Sequence, residues 1–160
     1  MVNSIRKGKR FEREIAKKLS KLTSVKWHRT PSSGAMSTTQ SITDNRFKGD
    51  IFTEDERYNY IVIECKITKK KITLSDLLNP NSIIYKWISQ TLREAESRDW
   101  ILIFKDGTRK TYLVAYPYMI PSVSIIDKEK EKRRFELVRK LSTGELFIRI
   151  GPYYDVYLMK

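Results

Sequence analysis

The sequence has one cysteine, Cys65, and one histidine, His28. The first excludes an intramolecular disulfide and a cysteine-based zinc site, and the second excludes a histidine cluster. Nothing nucleophilic accompanies His28 at recognisable spacing, so it reads as a strand-packing residue. No apolar run approaches the roughly 18 residues needed to cross a bilayer, and the basic N-terminal segment has no apolar stretch behind it. The expectation is a soluble, cytoplasmic chain with no membrane partner and no small-molecule substrate. Acidic residues are also scarce relative to basic ones: 32 Lys and Arg stand against 19 Asp and Glu, a formal net charge of +13 over 160 residues. With sulfur and imidazole excluded as ligand clusters, oxygen ligation is what remains for any metal.

The basic excess is uneven. Residues 1 to 48 hold twelve Lys and Arg against three acids, so nine of the thirteen net charges precede Asp50. Solvated faces usually intersperse both signs, whereas such a one-signed block favours a polyanion, because each neutralised phosphate releases counterions. A second cluster, Lys69-Lys70-Lys71, lies three residues beyond Lys66. The candidate phosphate-facing residues are Arg6, Lys7, Arg10, Lys48, Lys69 and Lys70.

Between these clusters, Lys48-Gly49-Asp50-Ile51-Phe52 leads a carboxylate into a short strand, and Tyr60 to Lys66 closes a β-rich run on Glu64-Cys65-Lys66. Successive strand side chains alternate faces, so Glu64 and Lys66 share one face and Cys65 points to the other. The polar connection Thr53 to Asn59 is short enough for a hairpin, which would bring Asp50 beside Glu64. Two carboxylates and a lysine then converge. A hard divalent cation such as Mg2+, with Mn2+ as a substitute, takes oxygen ligands from Asp50 and Glu64, and the Cys65 carbonyl could add another. Such a metal polarises a phosphodiester and lowers the pKa of its bound water, while Lys66 can orient that water or neutralise developing charge. Standing alone, the pattern is also that of a charged strand end with a solvated Glu64/Lys66 pair.

Phe11, Ile15, Leu19 and Leu22 recur at helical spacing, which predicts an amphipathic helix over residues 5 to 22. At about 100° per residue, Glu12 falls on the margin of that stripe and Glu14 further away. If the helix packs against the Asp50/Glu64 hairpin, Glu12 is the better placed third carboxylate, whereas periodicity alone equally fits an ordinary surface residue of a charged helix. A strand is expected around Val25 to Arg29, followed by a long Ser/Thr-rich loop, residues 30 to 46, suited to lying on a phosphate backbone. Ile84, Trp87, Ile88, Leu92 and Ala95 mark a second helix. Strands follow at Trp100 to Phe104 and Thr111 to Tyr116, joined by a hairpin turn at Lys105 to Thr108, with further candidates at 135 to 140, 145 to 150 and 153 to 158. Gln90 lies nearly opposite the Ile84/Ile88/Leu92 face and reads as a solvent residue.

Taken as a set, Arg6-Lys7-Gly8, Glu12-Arg13-Glu14, Arg29 to Ser33, Gly49-Asp50 and Glu64-Cys65-Lys66-Ile67-Thr68-Lys69-Lys70 resemble the PD-(D/E)XK nuclease superfamily, and within it the archaeal-type Holliday junction resolvases. The resemblance covers residues 5 to about 116. It implies an α/β, restriction-endonuclease-like fold, a mixed and largely antiparallel sheet flanked by helices, in a single nuclease domain with a C-terminal β extension over about 117 to 160. It implies Glu12, Asp50 and Glu64 as metal-binding carboxylates and Lys66 as the catalytic lysine. It also implies DNA contacts at Arg13, Arg29 and Ser33, and a homodimer cutting four-way junctions by paired symmetrical nicks. The same chemistry on other DNA, restriction-like or single-strand-specific, stays open, as does a binding-only module.

Overall fold

A run of apolar residues three and four apart coils into one face of a helix, and α1 (Val2–Thr23) buries Phe11, Ile15, Ala16 and Leu19 in this way. Leu22 is partly buried against the same cluster. The helix ends where the Thr23 hydroxyl turns back to the Leu19 carbonyl at 2.8 Å and Ser24 takes a left-handed φ of 56°. The computed structural model describes residues 2–31, 47–96, 98–107, 113–117, 142–150 and 154–159, together with 129–130, 132–133 and 136–137. Most of the Ser/Thr-rich loop, with Ser33 and Arg46, and the end of the Lys105 to Thr108 turn therefore lie outside the described residues.

The sequence predicts a strand from Val25, but the ladder starts only at β1 (His28–Arg29). Val25 and Trp27 pack under α1 instead, and the Trp27 backbone N–H donates to the Ser20 hydroxyl while its indole N–H donates to Thr23, both at 2.9 Å. Beyond it come β2 (Ile51–Phe52) and β3 (Ile61–Thr68), joined as the expected antiparallel hairpin with Ile51 opposite Ile63. A crossover through α2 (Leu74–Leu78) and α3 (Ile83–Ala95) brings β4 (Asp99–Asp106) alongside β3 in parallel. The short α2 was not expected. It starts on a reciprocal cap in which the Thr73 hydroxyl and the Asp76 carboxylate satisfy each other's backbone N–H groups.

β5 (Leu113–Pro117), β6 (Ser142–Ile150) and β7 (Tyr154–Met159) complete a seven-stranded sheet of order β1-β2-β3-β4-β5-β7-β6. Every pairing except β3 with β4 is antiparallel, so the sheet is mixed and largely antiparallel with helices packed on it, an α/β restriction-endonuclease-like arrangement. The strand expected over 135 to 140 is not formed at Glu136 and Leu137, which are helical, with Leu137 buried beside Ile101 and Ile103.

Alternation along β3 divides the interior in two. Ile61, Ile63 and Cys65 face α1 and join Phe11, Ile15 and Leu19, whereas Val62 faces α3 and joins Ile84, Ile88, Trp100, Leu102 and Phe104. A fully buried side chain such as Ile63 stabilises the fold by about 1.5–3 kcal/mol over an exposed one. Both cores therefore hold β3 in one register, and Glu64 and Lys66 inherit the α3 face. Among the described residues no helix is long and apolar enough to cross a membrane.

Candidate active site

Asp50 is held by its own backbone before its side chain does anything. Gly49, at φ +86°, turns the chain so that the Asp50 N–H donates to the Ile63 carbonyl at 2.9 Å, while the Asp50 carbonyl accepts from the Thr30 N–H at 2.9 Å. A side chain at residue 49 would not fit: a Cβ there would sit 2.8 Å from the Ile63 oxygen. The Asp50 carboxylate then accepts the Cys65 backbone N–H at 2.9 Å, which lays it along β3 next to Glu64. This is the convergence expected from the hairpin.

Glu64 is 2% exposed, and its carboxylate is 3.0 Å from the Lys66 ammonium, so the same-face pair is formed within the protein rather than in solvent. Burial pushes the Glu64 carboxyl well above the ordinary carboxylate range, and the neighbouring Asp50 charge pushes it further; Lys66 opposes both. Asp50 is likewise raised by burial, with the Cys65 N–H and Lys66 counteracting. The Lys66 ammonium is held above its usual value despite a burial penalty, chiefly because of the Glu64 charge and hydrogen bond. Two buried carboxylates whose hard oxygens meet in one small volume fit a divalent cation.

Among the described residues no three His, Cys, Asp or Glu side chains are grouped as a metal-holding shell. Mg2+ does not need one, since it is commonly held by one or two carboxylates, with water and substrate phosphate oxygens completing the octahedron. Asp50 and Glu64 would hold such an ion, which when bound polarises the phosphodiester and activates water. Lys66 stands where it can neutralise charge developing on a phosphate oxygen. The Cys65 thiol is buried on the α1 side and its proton is held more tightly by burial, so the cysteine has only its backbone carbonyl to offer.

The other expected residues are distributed less simply. Glu12 lies on the α1 margin and senses the Asp50 charge, but its carboxylate is 3.3 Å from the Arg29 guanidinium. Burial, then Asp50, raises its pKa, and Arg29 opposes the shift. Arg29, expected on DNA, is thus engaged with Glu12. Arg6, Lys7, Arg10 and Arg13 lie along α1 with their side chains wholly or partly open to solvent, and Lys69 and Lys70 are exposed beyond β3. Lys48 is paired with Glu96, and Lys70 lies 3.5 Å from Asp76.

Sequence reasoning missed the contribution of α3. Gln90 is not a solvent residue: it is half-buried and donates its amide N–H to the Glu94 carboxylate at 2.7 Å. Glu94 in turn hydrogen-bonds Glu64 and acts electrostatically on Asp50 and Lys66. The helix buries Ile84, Ile88, Thr91 and Ala95, while Leu92 is 36% exposed, so its inward direction is rotated away from Leu92 and toward the Glu94 side. Thr91 is the signal that could have shown this, had its hydroxyl been read as satisfied by the Trp87 carbonyl, 2.9 Å away.

A family model described as "Phage putative PDDEXK endonuclease" matches residues 3–145. Neither the curated proteins nor the solved structures give a match. The family match bears out the superfamily expected from the motifs and carries no statement of the archaeal-type resolvase subtype. With Gly49-Asp50 and Glu64-Cys65-Lys66 brought together in space and the match spanning most of the sequence, the chain belongs to this PDDEXK endonuclease family and is a nuclease of the PD-(D/E)XK type.

Proposed function

We propose that the protein is a Mg2+-dependent endodeoxyribonuclease, with Mn2+ able to substitute, that acts as a homodimer on four-way DNA junctions and resolves them by paired symmetrical nicks. The observation that carries the chemistry is the placement of Asp50 against Glu64 and Lys66, in a chain whose α1 holds Arg6, Lys7, Arg10 and Arg13 open to solvent. Support for the junction comes from the order of motifs along the chain, and two symmetrical nicks require two sites related by a two-fold axis. A second reading, the same chemistry on other DNA, is favoured by one specific observation: Arg29 is held by Glu12. A binding-only module would have no reason to bury two adjoining carboxylates beside a lysine.

A labelled immobile four-way junction, a linear duplex and a single strand, each incubated with Mg2+ or with EDTA, separate these readings. The expected result is Mg2+-dependent, paired, ligatable nicks in the junction and little cutting of the controls. Equal cutting of junction and linear DNA would transfer the proposal to the second reading.

Binding should also weaken steeply with salt. About six phosphate contacts from the α1 and post-β3 basic residues give a slope of about −5 in log affinity against log salt, or roughly a 10³-fold loss between about 50 and 200 mM. Fluorescence anisotropy with the junction in EDTA measures this directly. A flat dependence would count against a phosphate-tracking surface.

A further inference from the structure

We propose that Phe52, with His28 stacked on it and Phe47 in an edge contact, is a platform on which an unpaired DNA base stacks beside the scissile phosphate. The inference rests on the nuclease reading above and names the feature of the substrate that the site recognises, a base out of its helical stack.

Position is the first argument. The rings of His28 and Phe52 lie 5.5 Å apart and 29° from parallel, and Phe47 meets Phe52 at 4.8 Å. Ile51 is buried on the α1 side, so Phe52 and its cross-strand partner His28 face the other way, to the side that carries Glu64 and Lys66. With Ile51 opposite Ile63, Phe52 falls beside Val62, and Glu64 comes next on that face. Ideal strand spacings put the Phe52 and Glu64 Cα atoms roughly 8 Å apart. A phosphate held at Asp50 and Glu64 would therefore have the base of its own or the next nucleotide over these rings. The core under α3 leaves that place open: it takes Val62, Trp100, Leu102 and Phe104 from β3 and β4, and among the described residues none from β1 or β2.

Exposure and chemistry are the second argument. In the pairs Trp27–Tyr58 and Trp87–Phe104 one ring, Trp27 or Phe104, is buried in a core. His28 by contrast is exposed, Phe47 and Phe52 are half-buried, and none of these rings belongs to either core cluster. Core packing does not account for them. Bases stack on Phe and His rings whatever their identity, but only once they have left the duplex and present a face. The neighbours fix the occupant as a nucleotide: Asp50, Glu64 and Lys66 serve its phosphodiester, and Lys48 directly follows Phe47. The Glu96 side chain that pairs with Lys48 is 65% exposed, so a phosphate can compete for that ammonium.

Fluorescence anisotropy of the full chain in EDTA tests the platform without cleavage. The probes are a labelled oligothymidylate, a strand of the same length built from abasic sites, and a four-way junction with or without abasic sites flanking the branch point. Wild type is expected to bind the base-bearing strand about 5–100-fold more tightly than the abasic one, which has the same phosphates. Phe52→Leu, which stays apolar, and His28→Ala, at an exposed position, should each remove much of that preference, and Phe52→Tyr should keep it. Affinity for the abasic strand and the slope against log salt should stay as in wild type, which a general loss of structure would not allow. Thermal melts check that each variant is folded. Equal wild-type affinity for the two strands, or losses in Phe52→Leu and His28→Ala that are as large on the abasic strand, overturns the platform and leaves the nuclease reading standing. A base preference shared by the junction places the stacked base at the branch point, and one confined to the strand places it in a single-stranded region; both support the platform. Failure to cut any probe with Mg2+ removes the nuclease reading, and with it the place of the base beside a scissile phosphate.

Discussion

Asp50→Asn and Glu64→Gln each lower strand cleavage by at least about 10³-fold while leaving DNA binding largely intact. A metal-centred stabilisation of several kcal/mol is at stake, and each 1.36 kcal/mol is a factor of about ten in rate. The side-chain amide introduced by Asp50→Asn keeps a carbonyl oxygen that can accept the Cys65 N–H, as the Asp50 carboxylate does at 2.9 Å, so the backbone around the site has no reason to move. Stability should change in the opposite direction to activity. Burial raises both carboxyl groups above their unfolded-state pKa values, and the Asp50 charge raises Glu64 further, so the folded state binds their protons more tightly than the unfolded one. Such groups contribute less stability as pH rises through that raised range, and at neutral pH and above their ionised forms cost stability. An amide does not titrate, and either variant should therefore melt at a higher temperature than wild type in EDTA at about pH 8. Cutting at near-wild-type rates by either variant would falsify the site, whatever happens to the melting temperature.

The largest structural effect is expected from the smallest substitution. Gly49→Ala places a methyl group 2.8 Å from the Ile63 carbonyl oxygen and 3.1 Å from both the Ile63 nitrogen and the Val62 side chain, two of the three being backbone atoms of the central hairpin. The φ of +86° is a further cost for any residue with a Cβ. Strain of this kind is worth about 1–3 kcal/mol before the clash is added, a sizeable share of a typical stability of about 5–15 kcal/mol. A loss of roughly 4–10 °C in melting temperature follows for a chain of this size. Relief of the clash also moves Asp50 off β3, so cleavage should fall along with stability, unlike in Asp50→Asn. Differential scanning calorimetry and a cleavage assay on the same preparation check both. A Gly49→Ala protein with unchanged melting and activity would mean that the turn before Asp50 is not held as described.

The central parts of this site were legible because they follow from short-range rules. Alternation on β3 placed Glu64 and Lys66 on one face, and the short polar connection from Thr53 to Asn59 predicted the hairpin that carries Asp50 to them. The α1 stripe was legible for the same reason, being periodic and strongly apolar at Phe11, Ile15 and Leu19. What could not be read depends on partners far apart in the chain or on polar residues that are buried because they are satisfied. Arg29 meets Glu12 across seventeen positions, and no periodicity announces it. On α3 the apolar Leu92 draws the expected face toward itself, whereas Thr91, with its hydroxyl bonded inside the helix, occupies the buried arc. That rotation turns Glu94, which accepts from Gln90, toward the Glu64 side. The region after β4 was misread where Glu136 and Leu137 are helical, since the short run Phe135-Glu136-Leu137-Val138 holds too few apolar positions to tell a strand period from a helical one.

The division of the interior by β3 has a consequence for how this sequence can change by insertion. An extra residue between Glu54 and Asn59 leaves the parity of the strand intact, and the half-buried or exposed chain there can bulge outward. The same insertion between Ile61 and Glu64 shifts everything on one side of it by one position, which turns a glutamate and a lysine toward the apolar packing under α1 and sends isoleucines into the place of the chemistry. Packing and reactivity are thus written on the two parities of a single strand. Added length is therefore accommodated only in the connections, and the strand itself can change only by substitution.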